Sequence, residues 1–307
     1  MIAPVEEPSL VNLREIAEIE LIIVKRMKEL TIGDHASVYQ GSGVDFVGLR
    51  DWQPGDRISS VDWAQSSLTN FSPLVTRQFA QDSTAMVVAV ADASLSTRCG
   101  IDGVPIAAAI ARSVAAVGLS AVFFQDMFGL IAFDHEFRQI AAAPPRIGRA
   151  HVVFCVDLYG RATRLDQEPE EPRDITATIE GHLRRTSLVP VISDFLSADA
   201  PRIIRDLGRL NALHDVFLVM ADARFAYDMP RVSAGWVEAY DVETGRPRVF
   251  SRRELAGLAS RVAEWQDDIA RLARDADLDL VRVGLDRWEM ETTLAQFASE
   301  RRLRKKS

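Results

Sequence analysis

Lysine is almost missing from this chain. Among 36 basic side chains in 307 residues, lysine is confined to Lys25, Lys28, Lys305 and Lys306, and from Arg50 to Arg304 every base is arginine. No Schiff-base lysine and no phosphate-binding lysine can come from that stretch. A P-loop closes on Gly-Lys-Ser/Thr, so the chain is not itself a P-loop NTPase. Codon bias is the plainest source of the arginine excess, and the exclusion stands whatever the source. Cysteine is scarce as well: Cys99 and Cys155 are too few for a disulfide framework or a cysteine-built zinc site, and read as buried thiols in a reducing compartment. The five histidines, His35, His135, His151, His182 and His214, are scattered with no His-Glu-x-x-His helix, so each reads as a surface or satisfied core residue. Gly-x-Ser-x-Gly does not occur, which disfavours a hydrolase with a nucleophile elbow.

Positive charge is also in deficit, with 44 acidic side chains giving a net charge of -8. The densest basic cluster, RRLRKKS at 301–307, reads as a solvated end suited to the negative pole of a final helix, and nucleic acid is not an expected partner. Glu6 and Glu7 stand where a signal peptide is basic, and no apolar run approaches the roughly 20 residues of a membrane span. The expectation is a cytoplasmic protein without stable membrane insertion.

What is present is the composition of a globular protein, 48% hydrophobic and 26% charged. Its length suggests about two domains, or one large α/β domain with additions. Apolar residues at helical spacing from Leu10 to Leu30 (Leu13, Ile16, Ile19, Ile23, Met27) predict an amphipathic helix. Residues 31–80, punctuated by glycine and proline, read as a small β-rich module with short strands at Asp45 to Leu49 and Leu74 to Phe79. Ala85 to Ala91 is a continuous apolar run, the pattern of a strand buried on both faces. A helix over Val104 to Phe124 follows, then strands at Met127–Phe133 and Phe137–Ala142 and a helix at Arg149–Tyr159. Beyond the acidic, Pro-rich loop Asp166 to Arg173 come a helix at Ile175–Arg185, a strand at Leu188–Ser193, a helix at Ala200–Leu213 and a strand at Val216–Met220. Trp236–Tyr240 and Arg248–Phe250 form a hairpin, and a helix at Ser251–Ala276, a strand at Leu280–Gly284 and a last helix from Glu291 complete the chain. Alternating buried strands and helices predict an α/β fold with a doubly wound, mainly parallel sheet. The domains fall at 1–80 (N-terminal helix and β-rich module), 81–290 (α/β domain) and 291–307 (C-terminal helix and basic tail).

In an open α/β sheet, ligands sit outside the carboxyl ends of the strands, near the point where strand order reverses. Asp92 opens the string Asp92-Ala93-Ser94-Leu95-Ser96 directly after the first buried strand, and Asp194 follows Leu188–Ser193. A carboxylate with hydroxyls at alternate positions offers three oxygen ligands on one side of a loop, a set that suits Mg2+ and leaves a coordination position open. A carboxylate from another protein can fill that position, making an adhesion point. The plainer alternative is that Asp92 and Ser94 cap the following helix. An aspartyl-phosphate phosphatase wants a second Asp two residues on and a later lysine, whereas here Ser94 stands at that place and the region has no lysine.

DASLS at 92–96 resembles the Asp-x-Ser-x-Ser element of the metal-ion-dependent adhesion site in von Willebrand factor A domains. LRDWQPGDRISSVDWAQSS at 49–67, with LVTRQF at 74–79, FGLIAF at 128–133 and SDFL at 193–196, resembles a bacterial group of such proteins. That group is domain-of-unknown-function family fifty-eight, typically encoded beside MoxR-type AAA+ ATPases. The resemblance covers roughly residues 35–290. Pro54-Gly55-Asp56 is a turn in its own right, and Asp62-Trp63 is expected to anchor the module, with the indole buried and Asp62 bonded to a backbone amide or an arginine. The sequence departs from the family pattern at two places. Ser59 stands where an arginine is usual, with Arg57 nearby. Arg173 falls where the adhesion site usually has a threonine, so either cation binding weakens, or Thr176 takes the role, or the guanidinium replaces the ion by pairing with Asp92 or Asp194.

The resemblance implies a von Willebrand factor A-type domain with the β-rich module ahead of it. It further implies a non-enzymatic interaction protein that works with a MoxR-type ATPase in chaperone-like maturation or assembly of a client complex. Its Mg2+ ligands would be Asp92, Ser94, Ser96, Asp194 and Thr176. Two alternatives stay open: a metal-dependent phosphohydrolase using Asp92 and Asp194, and a scaffold whose metal site has degenerated.

Overall fold

A computed structural model describes residues 10–34, 45–53, 58, 61–80, 85–101, 103–134, 139–165, 175–183, 185–227, 235–240, 246–284, 292–294 and 296–297. The chain divides into two compact units, Thr31–Thr84 and the remainder, Met1–Leu30 with Ala85–Ser307.

The first helix, α1 (Leu13–Asp34), starts on a reciprocal cap in which Glu15 N donates to Asn12 Oδ1 and Asn12 N to Glu15 Oε2, both at 2.9 Å. Its stripe of Ile16, Ile19, Ile23 and Met27 is buried in the core of the larger unit. This corrects the expected grouping of the helix with the module in 1–80. Four large apolar side chains on one face need a matching apolar surface, and they find it on the larger unit's helices.

In the smaller unit, β1 (Asp45–Asp51) pairs antiparallel with β2 (Val75–Ala80), with a register irregularity between Phe46 and Gly48. Between them lies a helix the sequence reading did not include, α2 (Trp63–Leu68), capped by Asp62, whose Oδ1 accepts from Ala64 N and Gln65 N at 3.1 and 3.2 Å. Asp62 thus bonds to backbone amides as expected. Trp63, however, is 56% exposed; it opens a one-and-a-half-turn helix whose buried residue is Ser66. Pro54-Gly55-Asp56, Arg57 and Ser59 lie outside the described residues.

The larger unit is a mixed α/β fold. Strand β3 (Met86–Asp92) is buried along its whole length. A 3-10 turn (Leu95–Arg98) and the two-residue strands β4 (Gly100–Ile101) and β5 (Val104–Pro105) lead to α3 (Ile106–Phe123). Then come β6 (Met127–Phe133), β7 (Gln139–Arg146), α4 (Arg149–Ala162), α5 (Ile175–His182), β8 (Leu188–Ser193), α6 (Ala200–Leu210) and β9 (Asp215–Ala221). The hairpin β10 (Trp236–Tyr240) and β11 (Pro247–Ser251) precedes α7 (Arg252–Asp275) and β12 (Asp279–Val283). The central sheet has the order β12-β9-β8-β3-β6-β7. Every pair in it is parallel except β6 with β7.

Alternate residues of β3 feed opposite layers. Val87, Ala89 and Ala91 join the core of α1, α3 and α4, while Met86, Val88 and Val90 join that of α5, α6 and α7. With helices on both faces, the continuous apolar run of this central strand has its explanation. By length and composition α3 could cross a membrane, contrary to the expectation that no run comes close, yet 89% of it is buried within this fold. Its Arg112 pairs with Glu15 of α1 at 3.4 Å. Strand order reverses between β3 and β8, the place where sheets of this kind commonly take ligands outside the carboxyl ends of the strands.

Candidate functional site

Four adjacent parallel strands end in aspartate. In spatial order they are Asp222 after β9, Asp194 after β8, Asp92 closing β3 and Asp134 after β6. The two that flank the reversal of strand order, Asp92 and Asp194, are the two singled out from sequence. Both are buried.

Asp92 is held on all sides. Its Oδ1 accepts from Ser94 N at 2.9 Å, its Oδ2 accepts from the Ser193 hydroxyl at 2.6 Å, and its carbonyl accepts from the buried Tyr159 hydroxyl at 2.6 Å. Ser94 leads into the 3-10 turn, but its side chain makes no cap hydrogen bond. Its Oγ lies 3.0 Å from Ser96 Oγ, while Thr97 Oγ1 donates to Ser94 O at 2.7 Å. The two hydroxyls therefore face each other instead of capping a helix. Arg98 anchors the far end of the turn, donating to Thr163 O at 2.6 Å and Leu165 O at 2.9 Å.

Asp194 is bound more loosely. Leu196 N donates to its Oδ1 at 3.0 Å, whereas Oδ2 is buried without a hydrogen-bond partner. A buried carboxylate oxygen in this state costs free energy unless the group takes up a proton or meets a cation. Burial, and then the charge of Asp92, push the Asp194 carboxyl up to about 7. Burial also raises Asp92, against the lowering hydrogen bonds from Ser193 and Ser94, and Asp134 adds to the rise. Tyr159 is raised by burial and by both aspartates, and Tyr227 is pushed up to about 12 by burial, with Cys99 and Asp194 contributing. Burial works to raise Asp222, but hydrogen bonds and charge from Arg224 hold it below the usual range.

This donor set fits a hard divalent cation. Asp194 Oδ2 is buried and unpartnered, Ser94 and Ser96 put two hydroxyl oxygens side by side, and two carboxylates share one buried edge. Among the described residues, no three His, Cys, Asp or Glu side chains form such a group by themselves, so serine oxygens would have to complete the coordination. Thr176 is the second residue of α5, whose Ile175 and Ile179 are buried in the layer of α6. The hydrogen bonds of Asp92, Ser94, Ser96 and Asp194 do not include it. Arg173, the acidic loop 166–173 and the tail 301–307 lie outside the described residues, as do His35 and His135.

Sequence reasoning missed Ser193, Tyr159, Trp265, Gln266 and Asp134. Trp265 Nε1 donates to Phe195 O at 2.7 Å, and Gln266 Nε2 donates to Asp194 O and Ala221 O at 2.9 and 2.8 Å. Local signals marked two of them: Asp134 is an acidic residue directly after an apolar run, and Ser193 opens the SDFL string at 193–196. The described histidines are satisfied side chains: His214 Nδ1 accepts from Ser187 N, His182 pairs with Gln139, and His151 contacts Cys155. Neither Cys99 nor Cys155 forms a disulfide.

Comparison with known proteins gives a family without a described activity. The family described as "Protein of unknown function DUF58" matches residues 48–261. The uncharacterized protein Rv1480 of Mycobacterium tuberculosis (strain ATCC 25618 / H37Rv) is 27% identical over 297 residues, covering 92% of this chain and 88% of that protein. The uncharacterized protein Mb1516 of Mycobacterium bovis matches to the same extent. Among solved structures, a conserved hypothetical protein BatB from Bacteroides thetaiotaomicron is 12% identical over 71% of this chain and 100% of that one, with a TM-score of 0.39. An aerotolerance-related membrane protein from Bacteroides fragilis is 11% identical over the same shares, with a TM-score of 0.40. Likeness at that level carries no argument about this chain. The family match spans well over half the sequence, and the chain belongs to the DUF58 family.

Proposed function

We propose that this chain is a non-enzymatic protein-interaction module of the von Willebrand factor A type, acting through an adhesion site around Asp92, Ser94, Ser96 and Asp194. The observation that carries the reading is the pair of buried carboxylates at the reversal of strand order, one of them with Oδ2 unpartnered. When bound, Mg2+ would supply an open coordination position for a carboxylate of the partner protein. Asp194 Oδ2 and the hydroxyls of Ser94 and Ser96 would face the ion, while Ser193 and the Ser94 amide keep Asp92 oriented. The resemblance to proteins encoded beside MoxR-type AAA+ ATPases makes such an ATPase the proposed collaborator in the cytoplasm. It would hydrolyse nucleotide while this chain recognises a client during chaperone-like assembly.

The test is capture of the MoxR-type ATPase and client from the native host, with and without chelator, using wild type and Asp92→Ala. The reading expects Mg2+-dependent capture that Asp92→Ala abolishes, with no ATP or phosphoester hydrolysis by the pure chain. Turnover by a pure sample would overturn it. Capture indifferent to both chelator and substitution would reduce the domain to a scaffold.

A further inference from the structure

The carboxylate of Asp194 is aimed by a turn whose backbone is gripped from α7. Phe195, the residue after Asp194, has φ +53, the left-handed region that a bulky side chain enters only at a cost. Such a conformation persists where surrounding contacts over-determine it. Here they are explicit. Phe195 N donates to Ser193 Oγ at 2.9 Å, and Leu196 N donates to Asp194 Oδ1 at 3.0 Å. From α7, Trp265 Nε1 donates to Phe195 O at 2.7 Å, and Gln266 Nε2 donates to Asp194 O at 2.9 Å. Consecutive helix residues thus hold the carbonyls of consecutive turn residues.

Gln266 is the unusual member. It is 2% exposed and occupies the buried face of α7 with Leu255, Ile269 and Ala273, where an apolar side chain would serve packing. A buried amide is tolerated when its polar atoms are bonded. Its Nε2 makes a second bond to Ala221 O at 2.8 Å, so one side chain ties the ends of the neighbouring strands β8 and β9. In return, Arg282 of β12 donates to Gln266 O at 3.1 Å.

We infer that Trp265 and Gln266 are positioning residues for the adhesion site: they lock the Asp194–Phe195 turn so that the unpartnered Asp194 oxygen stays presented beside Asp92. The inference rests on the metal-site reading above and deepens it, since α7 then belongs to the site without touching the ion.

The experiment compares the full chain with Trp265→Phe, which keeps the ring and removes the donor, and with Gln266→Leu, close in volume and without the amide. Mn2+ serves as the probe, with affinity followed by electron paramagnetic resonance, and amide hydrogen exchange is measured at Phe195 and Leu196 without metal. Loss of a buried hydrogen bond should weaken Mn2+ binding about tenfold in each variant and speed exchange at the two amides by a similar factor. If both variants fold and match wild type in Mn2+ affinity, the positioning role is wrong while the metal site stands. If wild type binds no Mn2+, the metal-site reading falls, and the exchange data still decide whether α7 holds the turn: unchanged exchange overturns the inference. Trp265→Phe keeps the question answerable if Gln266→Leu does not fold.

Discussion

The Ser193 hydroxyl donates to Asp92 Oδ2 at 2.6 Å and accepts from Phe195 N at 2.9 Å, joining the carboxyl ends of β8 and β3 across 101 residues of sequence. One oxygen thereby orients Asp92 and shapes the turn that presents Asp194. Ser193→Ala leaves a buried carboxylate oxygen and a buried amide short of a partner. A loss of about 2 kcal/mol is expected in urea unfolding, and a loss below about 0.5 kcal/mol would show that the two groups find other partners.

The backbone of Asp92 has its own support. Tyr159→Phe removes the buried hydroxyl that donates to Asp92 O at 2.6 Å and changes nothing else in shape. The expected cost is about 1 kcal/mol, measured by the same unfolding experiment.

Asp194 makes stability depend on pH. Its carboxyl is raised from 3.8 to about 7 in the folded protein by burial and by the charge of Asp92, so the folded state holds its proton after the unfolded chain has released one. The contribution is full below the unfolded value, falls as pH rises, and is gone above about 7. The difference between wild type and Asp194→Asn, measured without metal from pH 4 to 8, should follow that fall, with the variant the more stable at pH 8. A pH-independent difference would mean that Asp194 is not perturbed.

Close packing of α3 on α4 and β6 depends on a missing side chain. A Cβ at Gly118 would lie 2.7 Å from Val152 Cγ1 and 3.0 Å from Phe128 Cε1, both on buried residues. Gly118→Ala should therefore cost about 1–3 kcal/mol through overpacking despite the better helix propensity of alanine. Gly181→Ala on α5, where a Cβ meets nothing within 4 Å, is the control and should be neutral or stabilising by about 0.5–1 kcal/mol.

Cys155 is fully buried and its thiol is pushed up to about 12 by that burial, whereas Cys99 is half-buried. In native protein a thiol reagent should modify at most Cys99, with Cys155 reacting on unfolding. Rapid modification of both would mean that the α4 layer opens readily.

Legibility followed distance along the chain. Asp92, Ser94 and Ser96 share one pentapeptide, and Asp194 follows an apolar run of its own, so strand ends and hydroxyl spacing single them out as candidates. Tyr159 and Gln266 reach the site from 67 and 72 residues away from their partners with nothing local to mark them, and the bond of Ser193 to Asp92 spans 101 residues. Trp63 shows the opposite failure. Its neighbour Asp62 behaved as the local pattern required, but the burial of the indole depended on which face of α2 met the strands.

The order of lysine, arginine and apolar residues by itself excluded a P-loop and placed most of the strands and helices of the larger unit. Periodicity belongs to consecutive residues and survives without tertiary context. The lysine-free stretch excludes a P-loop, and the apolar run 85–91 predicts the buried strand that the fold places at 86–92. Only the tertiary structure decided that α1 packs in the larger unit, that a glutamine on α7 grips the Asp194 turn, and that one oxygen of Asp194 is left without a partner. Those outcomes depend on which faces meet across the fold, and the free energy of a buried polar atom is set by neighbours that the local sequence does not contain.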